Sequence, residues 1–370
     1  MKISCTQENL TKGLGIVGHM VSPRTTLPVL NNILLKVEKG RLNLSATDLE
    51  IGINTWIGAK VDKEGAITCP ARLLYEYIST NTDKTINLEI KDQALRLESE
   101  HFKANIKGIE ASEFPLIPEV KNGSKIVARG ADFRDGILKT VFACAPDETR
   151  PVLAGVYLKT GSGKLKMVAT DSYRLAEKTL NLDFSSPADK QVNIIVPGRT
   201  MTEIGRLLDE EVEKVEIMVG ENQVQFKLGP TNLVSRLVEG SFPDYEQIIP
   251  TGIKTKIMVK NNQFQNAIKM ASFFAREAAN NIKLQLKKPK KLNIIAVSPQ
   301  IGDNVSEQEV EFSGEELEIA FNAKFILDVL PVLGAEELTL ELAGSLSPGI
   351  IRPNKDKNYL YIIMPLRMDE

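Results

Sequence analysis

The residues that could do chemistry in this chain are few, and their spacing suits none of the familiar constellations. Only two histidines occur, His19 and His101, and neither stands beside a cysteine or a pair of acidic residues. Cys5, Cys69 and Cys144 are far apart and set among apolar neighbours, the pattern of buried reduced thiols rather than of disulfides or metal ligands. A zinc site needs several such ligands at usable spacings, so no metal is expected, and no cofactor either. There is likewise no GxxxxGKS/T loop, no GxGxxG following a strand and no GxSxG elbow. Asp48 and Asp171 remain as candidate carboxylates. Each follows a threonine at the end of a β-rich run, where Thr-Asp closes a turn through side-chain hydrogen bonds. One active site has no need of a copy in each repeat, so no catalytic residue is assigned.

The same two aspartates expose how the chain is organised. Residues 27–30 (LPVL) match 150–153 (RPVL), and 42–48 (LNLSATD) match 165–171 (LKMVATD), both at an offset of 123 residues. A more worn third copy, 292–298, begins 127 residues beyond Leu165 and has lost the aspartate. Segments 67–72, 194–199 and 319–324 each introduce an apolar-periodic helix, with Pro70 and Pro197 expected at the first helical position, where no backbone donor is needed. The aromatic-proline stretches 114–118 and 242–250 cannot continue a ladder or helix and read as linkers. Three units fit a chain of 370 residues, with boundaries placed at 1–121, 122–250 and 251–370.

Each unit opens with a helical pattern: 8–17 (Leu10, Leu14, Val17), 132–142 (Phe133, Ile137, Leu138, Val141, Phe142) and 262–274 (Phe264, Ile268, Ala271, Phe274). Asp132 and either Asn261 or Asn262 are the expected N-caps. A second helix follows in each, through Leu74/Ile78, Ile204/Leu208 and Ile326/Leu330, and the rest is β-rich. The fold class is therefore α+β, three similar domains with two helices packed on sheet. Two short helices cover one face of that much sheet. The outer strands are then open edges, which adjacent units can satisfy by continuing the sheet.

With 42% hydrophobic and 25% charged residues, each unit can bury an ordinary core. The opening residues lack a signal peptide, and no apolar run approaches the roughly 18 residues of a membrane span, so a cytoplasmic location without membrane contact is expected. A formal charge of −2 excludes a protein that is basic all over and leaves a local basic surface open. The helices carry Lys12, Arg72, Arg134, Lys139, Arg199, Arg206, Lys269, Arg276 and Lys324 on their solvent sides. Such residues ordinarily serve solubility. Recurrence of Arg72, Arg199 and Lys324 at corresponding positions supports a second reading, a shared lining that holds a polyanion by sequence-independent phosphate attraction.

Over essentially its full length the chain resembles the bacterial DNA polymerase III β subunit family, the replicative sliding clamps. The resemblance rests on residues 24–30 (RTTLPVL), 46–50 (ATDLE), 168–175 (VATDSYRL), 239–245 (EGSFPDY) and 361–368 (YIIMPLRM), in that order and spacing. It implies domains of the DNA-clamp type and a head-to-tail homodimer, a ring of six domains around duplex DNA that works as a processivity factor without base reading. It further implies the replicative DNA polymerase α subunit, the clamp loader, other DNA polymerases and mismatch-repair proteins as partners, all bound through short peptides.

Residue by residue, Arg24 matches a loop residue that touches DNA in relatives, and Arg150 lies in the corresponding loop of the second unit. With Arg72, Arg199 and Lys324 they form the expected DNA-binding set. The dimer contact falls on Ala104 and Ile106 of one strand and on Phe273 and Phe274 of a helix. Those two rings cannot face the same way, so one belongs to the core and the other to the interface. The peptide pocket takes Leu153, Thr170, Ser172, Tyr173, Arg174, Leu175, Pro243, Ile248, Ser347, Ile362, Met364, Pro365, Leu366 and Arg367. Leu360, Ile362 and Met364 also read as an ordinary core strand, and alternate residues of one strand can do both. Asp369 and Glu370 extend past the family's usual end. Two other classes stay open from the residues alone: a peptide-binding adaptor that does not encircle DNA, and an enzyme with a dispersed active site.

Overall fold

The computed structural model describes residues 1–21, 27–147, 149–182, 191–354 and 356–367; Arg24, Asp369 and Glu370 lie outside them. Among the described residues there are six α-helices: α1 (Gln7–Gly18), α2 (Ala71–Thr80), α3 (Gly130–Thr140), α4 (Gly198–Leu207), α5 (Asn261–Ala275) and α6 (Ala323–Val329). They fall at the predicted places, two to each sequence repeat. Between them run antiparallel strands and short 3-10 turns, so the class is α+β as expected.

By their internal contacts the residues form two compact units that do not follow the repeats. One gathers Met1–Ala131 with Arg206–Leu237; the other holds Asp132–Leu182, Gln191–Gly205 and the described residues from Val238 onward. The second repeat is shared between them because sheets run across the repeat junctions. In the first unit an eight-stranded sheet joins strand Thr231–Arg236 of the second repeat to Ile51–Gly58 of the first, in the register Ser235↔Ile51 and Val234↔Gly52. In the second unit a nine-stranded sheet joins Arg174–Asn181 to Tyr359–Ile363, with Arg174↔Ile363 and Leu175↔Ile362. Edge strands of consecutive repeats thus satisfy each other's backbone groups.

Each unit adds a smaller sheet. The five-stranded sheet ends at Lys103–Lys107, and the four-stranded sheet ends at Gly302–Glu309. Helices fill the space against the sheets with the residues the periodicity selects: Leu10, Leu14 and Val17 of α1, and Phe264, Ile268 and Ala271 of α5, are buried. Burying the Leu, Val, Ile and Phe side chains among them contributes about 1.5–3 kcal/mol each.

The helix starts differ in detail from expectation. Pro70 and Pro197 close the preceding strands and stand one residue before the helices, not at their first position. A fixed φ suits that place too, because the extended backbone must stop there. Asp132 lies inside the first turn of α3, which begins at Gly130. Asn261 is the first residue of α5; its amide donates to the carbonyls of Leu330 and Ala335, tying α5 to the turn beyond α6. The side-chain caps are Thr6 on α1 and Asn322 on α6, which accept from Asn9 and Lys324. Cys5 and Cys69 are buried, Cys144 is half-buried, and burial pushes each thiol up to about 12.

Candidate functional site

The turn at 170–174 organises the site. The Thr170 hydroxyl donates to the Arg174 carbonyl at 2.6 Å and accepts from the Ser172 amide at 3.1 Å. Asp171 Oδ1 accepts from the amides of Tyr173 and Arg174 at 2.9 and 3.0 Å. These bonds force Ser172 to a φ of +79° and push Ser172 and Tyr173 outward. Asp48 closes its own turn in the same manner, accepting from Glu50 and Ile51 at 3.1 and 2.8 Å. Both aspartates do the turn-closing work expected of them.

Arg174 points inward and is 8% exposed. Its guanidinium donates to Asp171 Oδ2 at 3.0 Å, to Asp328 Oδ2 of α6 at 2.6 Å and to the Phe142 carbonyl at 2.8 Å. Its carbon lies 5.5 Å from the centroid of the Phe142 ring and 4.7 Å from that of Phe325. A planar fork between two rings, with carboxylates on two sides, is held by cation-π contacts and charge-assisted hydrogen bonds together. Tyr173, 59% exposed, stacks on the outer side of Phe325 with centroids 6.3 Å apart.

Below the turn the floor is apolar. Leu175 and Ile362, paired across the seam, are fully buried with Val168 and Tyr245, and Ile248, Ile249, Phe242 and Leu360 pack against this cluster half-buried. Tyr245 donates its hydroxyl to Glu177 at 2.6 Å; burial and then that carboxylate push the phenol well up. Beyond Ile363 the chain leaves the sheet: the Met364 amide donates to the Tyr173 carbonyl at 2.9 Å, and the Leu366 amide to Ala320 at 2.8 Å. Pro365 between them has no donor. Met364, Pro365 and Leu366 are consequently left half-buried, and Tyr173, Pro243 and Arg367 are exposed. Leu346 of the neighbouring turn, next to Ser347, is 73% exposed. Such a surface of adaptable thioether and aliphatic groups suits an apolar peptide segment.

Ile362 thus lies in the core, whereas Met364, one residue past the end of the strand Tyr359–Ile363, is half-buried at the surface. Leu175 and Ile362 form floor, Leu153 is buried, and Thr170 and Arg174 spend their polar atoms on the turn and its brace. Phe142, Phe325 and Asp328 were not selected from sequence. Nothing in their spacing marks them, because they reach Arg174 from two other elements.

The basic residues fall elsewhere. Arg72, Arg199 and Lys324 are each the second residue of α2, α4 and α6, and all three are exposed. A cation is unfavourable at a helix N-terminus, so local stability does not account for this recurrence. Arg72 pairs with Glu76 at 2.7 Å in solvent. Arg150 donates to Ser172 Oγ at 2.9 Å, which joins it to the 170–174 turn. Of the dimer set, Ile106 is buried and Ala104 half-buried on the open-edged strand Lys103–Lys107, while Phe273 is 44% exposed and Phe274 half-buried.

Asp83, Glu100 and His101 bring their ligand atoms within 4.8 Å of one another. Their hydrogen bonds serve a hairpin: Asp83 accepts from Ser99 Oγ and the His101 amide and pairs with the His101 ring at 2.8 Å. No helix among the described residues is long and apolar enough to cross a membrane.

The comparisons with known proteins agree along the chain. Models of the N-terminal, central and C-terminal domains of the DNA polymerase III beta subunit match residues 1–118, 129–244 and 246–367. The beta sliding clamp of Bacillus subtilis is 34% identical, the alignment covering 99% of this chain and 100% of that protein. Its crystal structure superposes with a TM-score of 0.94 over the whole of both chains. A Pseudomonas aeruginosa clamp bound to griselimycin is 31% identical with a TM-score of 0.95, again over the whole of both chains. The fold is the three-domain clamp fold, and the chain belongs to the DNA polymerase III β subunit family, the sliding clamps that give the polymerase its processivity.

Proposed function

We propose that two copies of this chain close head to tail into a ring around duplex DNA in the cytoplasm, and that the ring holds its partners by peptides seated at Tyr173, Met364 and Leu366. The observation that carries the peptide site is the apolar rim around the 170–174 turn, braced by Arg174 and left open where Pro365 stops the strand. Its occupants are the replicative polymerase α subunit, the clamp loader, and other polymerases and mismatch-repair proteins. Tethering raises a partner's effective concentration at the primer end, so modest peptide affinity suffices. The chain itself carries out no reaction.

Two open sheet edges support the ring. Lys103–Lys107 exposes Lys103, Asn105 and Lys107, and Gly302–Glu309 exposes Asp303, Val305, Glu307 and Glu309. Edges of opposite charge favour a heterologous contact between copies, and such a contact closes when its rotation does. The three exposed cations at the starts of α2, α4 and α6 are one per repeat, which suits phosphate attraction without base reading. Arg150 and Arg24 are assigned to the same DNA path, and the repeats keep the boundaries 1–121, 122–250 and 251–370.

The test is a titration with a fluorescein-labelled synthetic peptide copying the clamp-binding segment of the polymerase α subunit, with griselimycin as competitor. Binding that griselimycin displaces, and that Leu366→Asp abolishes without lowering the melting temperature, supports the site. Undiminished binding by the Leu366→Asp variant rejects it.

A further inference from the structure

The turn that builds the peptide site has a twin. At the junction of the first and second repeats the Thr47 hydroxyl donates to the Ile51 carbonyl at 2.9 Å and accepts from the Leu49 amide at 3.0 Å, as Thr170 does with Arg174 and Ser172. Leu49 has a φ of +78°, against +79° at Ser172. The seam keeps its register, Gly52↔Val234 standing where Leu175↔Ile362 stands in the other junction. Phe114-Pro115 stands in the first repeat where Phe242-Pro243 stands in the second. The backbone of a second site is therefore present.

Its side chains differ at the floor. Gly52 takes the place of Leu175, and Ile117 the place of Tyr245. A Cβ added to Gly52 would lie 2.6 Å from Ile117 Cγ2, so Ile117 rests on the strand backbone itself. Tyr245 is instead buried in the core cluster, its hydroxyl on Glu177. At the mouth, Arg236 pairs with Glu50 at 3.4 Å, where the other junction has Met364 and Tyr173. What remains is a cavity of about 60 Å³ walled by Thr47, Gly52, Ile117 and Val234. Ligand pockets run to about 300–1,000 Å³, so this one admits no peptide side chain of useful size.

We infer that the first junction is a latent copy of the peptide site, kept shut by the chain's own Ile117 laid against Gly52, and that this closure limits each chain to one peptide. The inference rests on the peptide-site reading above. Ile117 acts as the gate, and Gly52 is required because any larger residue would expel it.

The experiment is a stoichiometric titration of the intact protein with the same labelled α-subunit peptide. Wild type is expected to bind one peptide per chain and Ile117→Ala two, the added event surviving in the Ile117→Ala/Leu366→Asp double variant. A melting curve for each variant confirms folding, and Ile117→Val, which removes one methyl, gives a smaller second event should the alanine variant prove unstable. The inference is overturned by a wild type that already binds two, or by folded Ile117 variants that bind only one. A wild type that binds none overturns the peptide-site reading itself.

Discussion

Arg174 Nη1 lies 2.6 Å from Asp328 Oδ2, joining a strand of the second repeat to α6 of the third across 154 residues of sequence. Arg174 is nearly buried and Asp328 about one-third exposed, so the pair is only partly screened.

Removing the guanidinium should therefore cost more than one contact. Arg174→Ala leaves the buried Asp171 carboxylate without its cation and is expected to destabilise by on the order of 3 kcal/mol. It should also weaken the labelled peptide, because the rings of Phe142 and Phe325 lose the plane that spaces them. A double-mutant cycle with Asp328→Asn, read by chemical denaturation, isolates the pair; a coupling near zero would show that the brace carries no energy.

The three helix-start cations separate a clamp from an adaptor. Replacing Arg72, Arg199 and Lys324 together with Glu should abolish activity on DNA while peptide affinity stays within twofold of wild type. Six lost phosphate contacts, three from each chain of the ring, should flatten the dependence of log K on log salt by about 5. Unchanged DNA activity would favour the adaptor.

Phe273 is the ring left to solvent in α5, with the Arg276 guanidinium 5.4 Å from its centroid. Phe273→Asp should reduce the mass seen by small-angle scattering from twice 40.9 kDa to 40.9 kDa with peptide binding intact. A particle that stays at the larger mass would place the dimer contact elsewhere.

Asp83 gives a pH signature to the hairpin that leads into the open edge. The hydrogen bond from His101, then those from its amide and from Ser99, lower the carboxyl from 3.8 to about 2. A folded value below the unfolded one means the contribution is whole above 3.8 and vanishes as pH falls through about 2. The stability difference between wild type and Asp83→Asn should accordingly shrink across that window and be flat above it, as acid titration of denaturation midpoints will show.

Much of this molecule is legible in its residues taken in order. The repeated LNLSATD and LKMVATD fixed the period, apolar spacing fixed six helices, and the Thr-Asp turns were correctly read as turns because their hydrogen bonds span only a few residues. The 170–174 turn and the strand that leads to Pro365 lie in contiguous stretches, so their motif was visible. Local periodicity could not decide the helix caps, where a one-residue shift changes no burial; Asn261 instead satisfies carbonyls 69 and 74 residues away. Nor could it show that Arg174 turns inward between Phe142 and Phe325, that Arg150 bonds Ser172, or that Gly52 makes room for Ile117. Local hydrogen bonds and burial patterns are written along one segment and can be read from it. Which polar group is braced, and which of two identical turns is left open, depends on side chains delivered by distant segments, and only the packed structure brings those together.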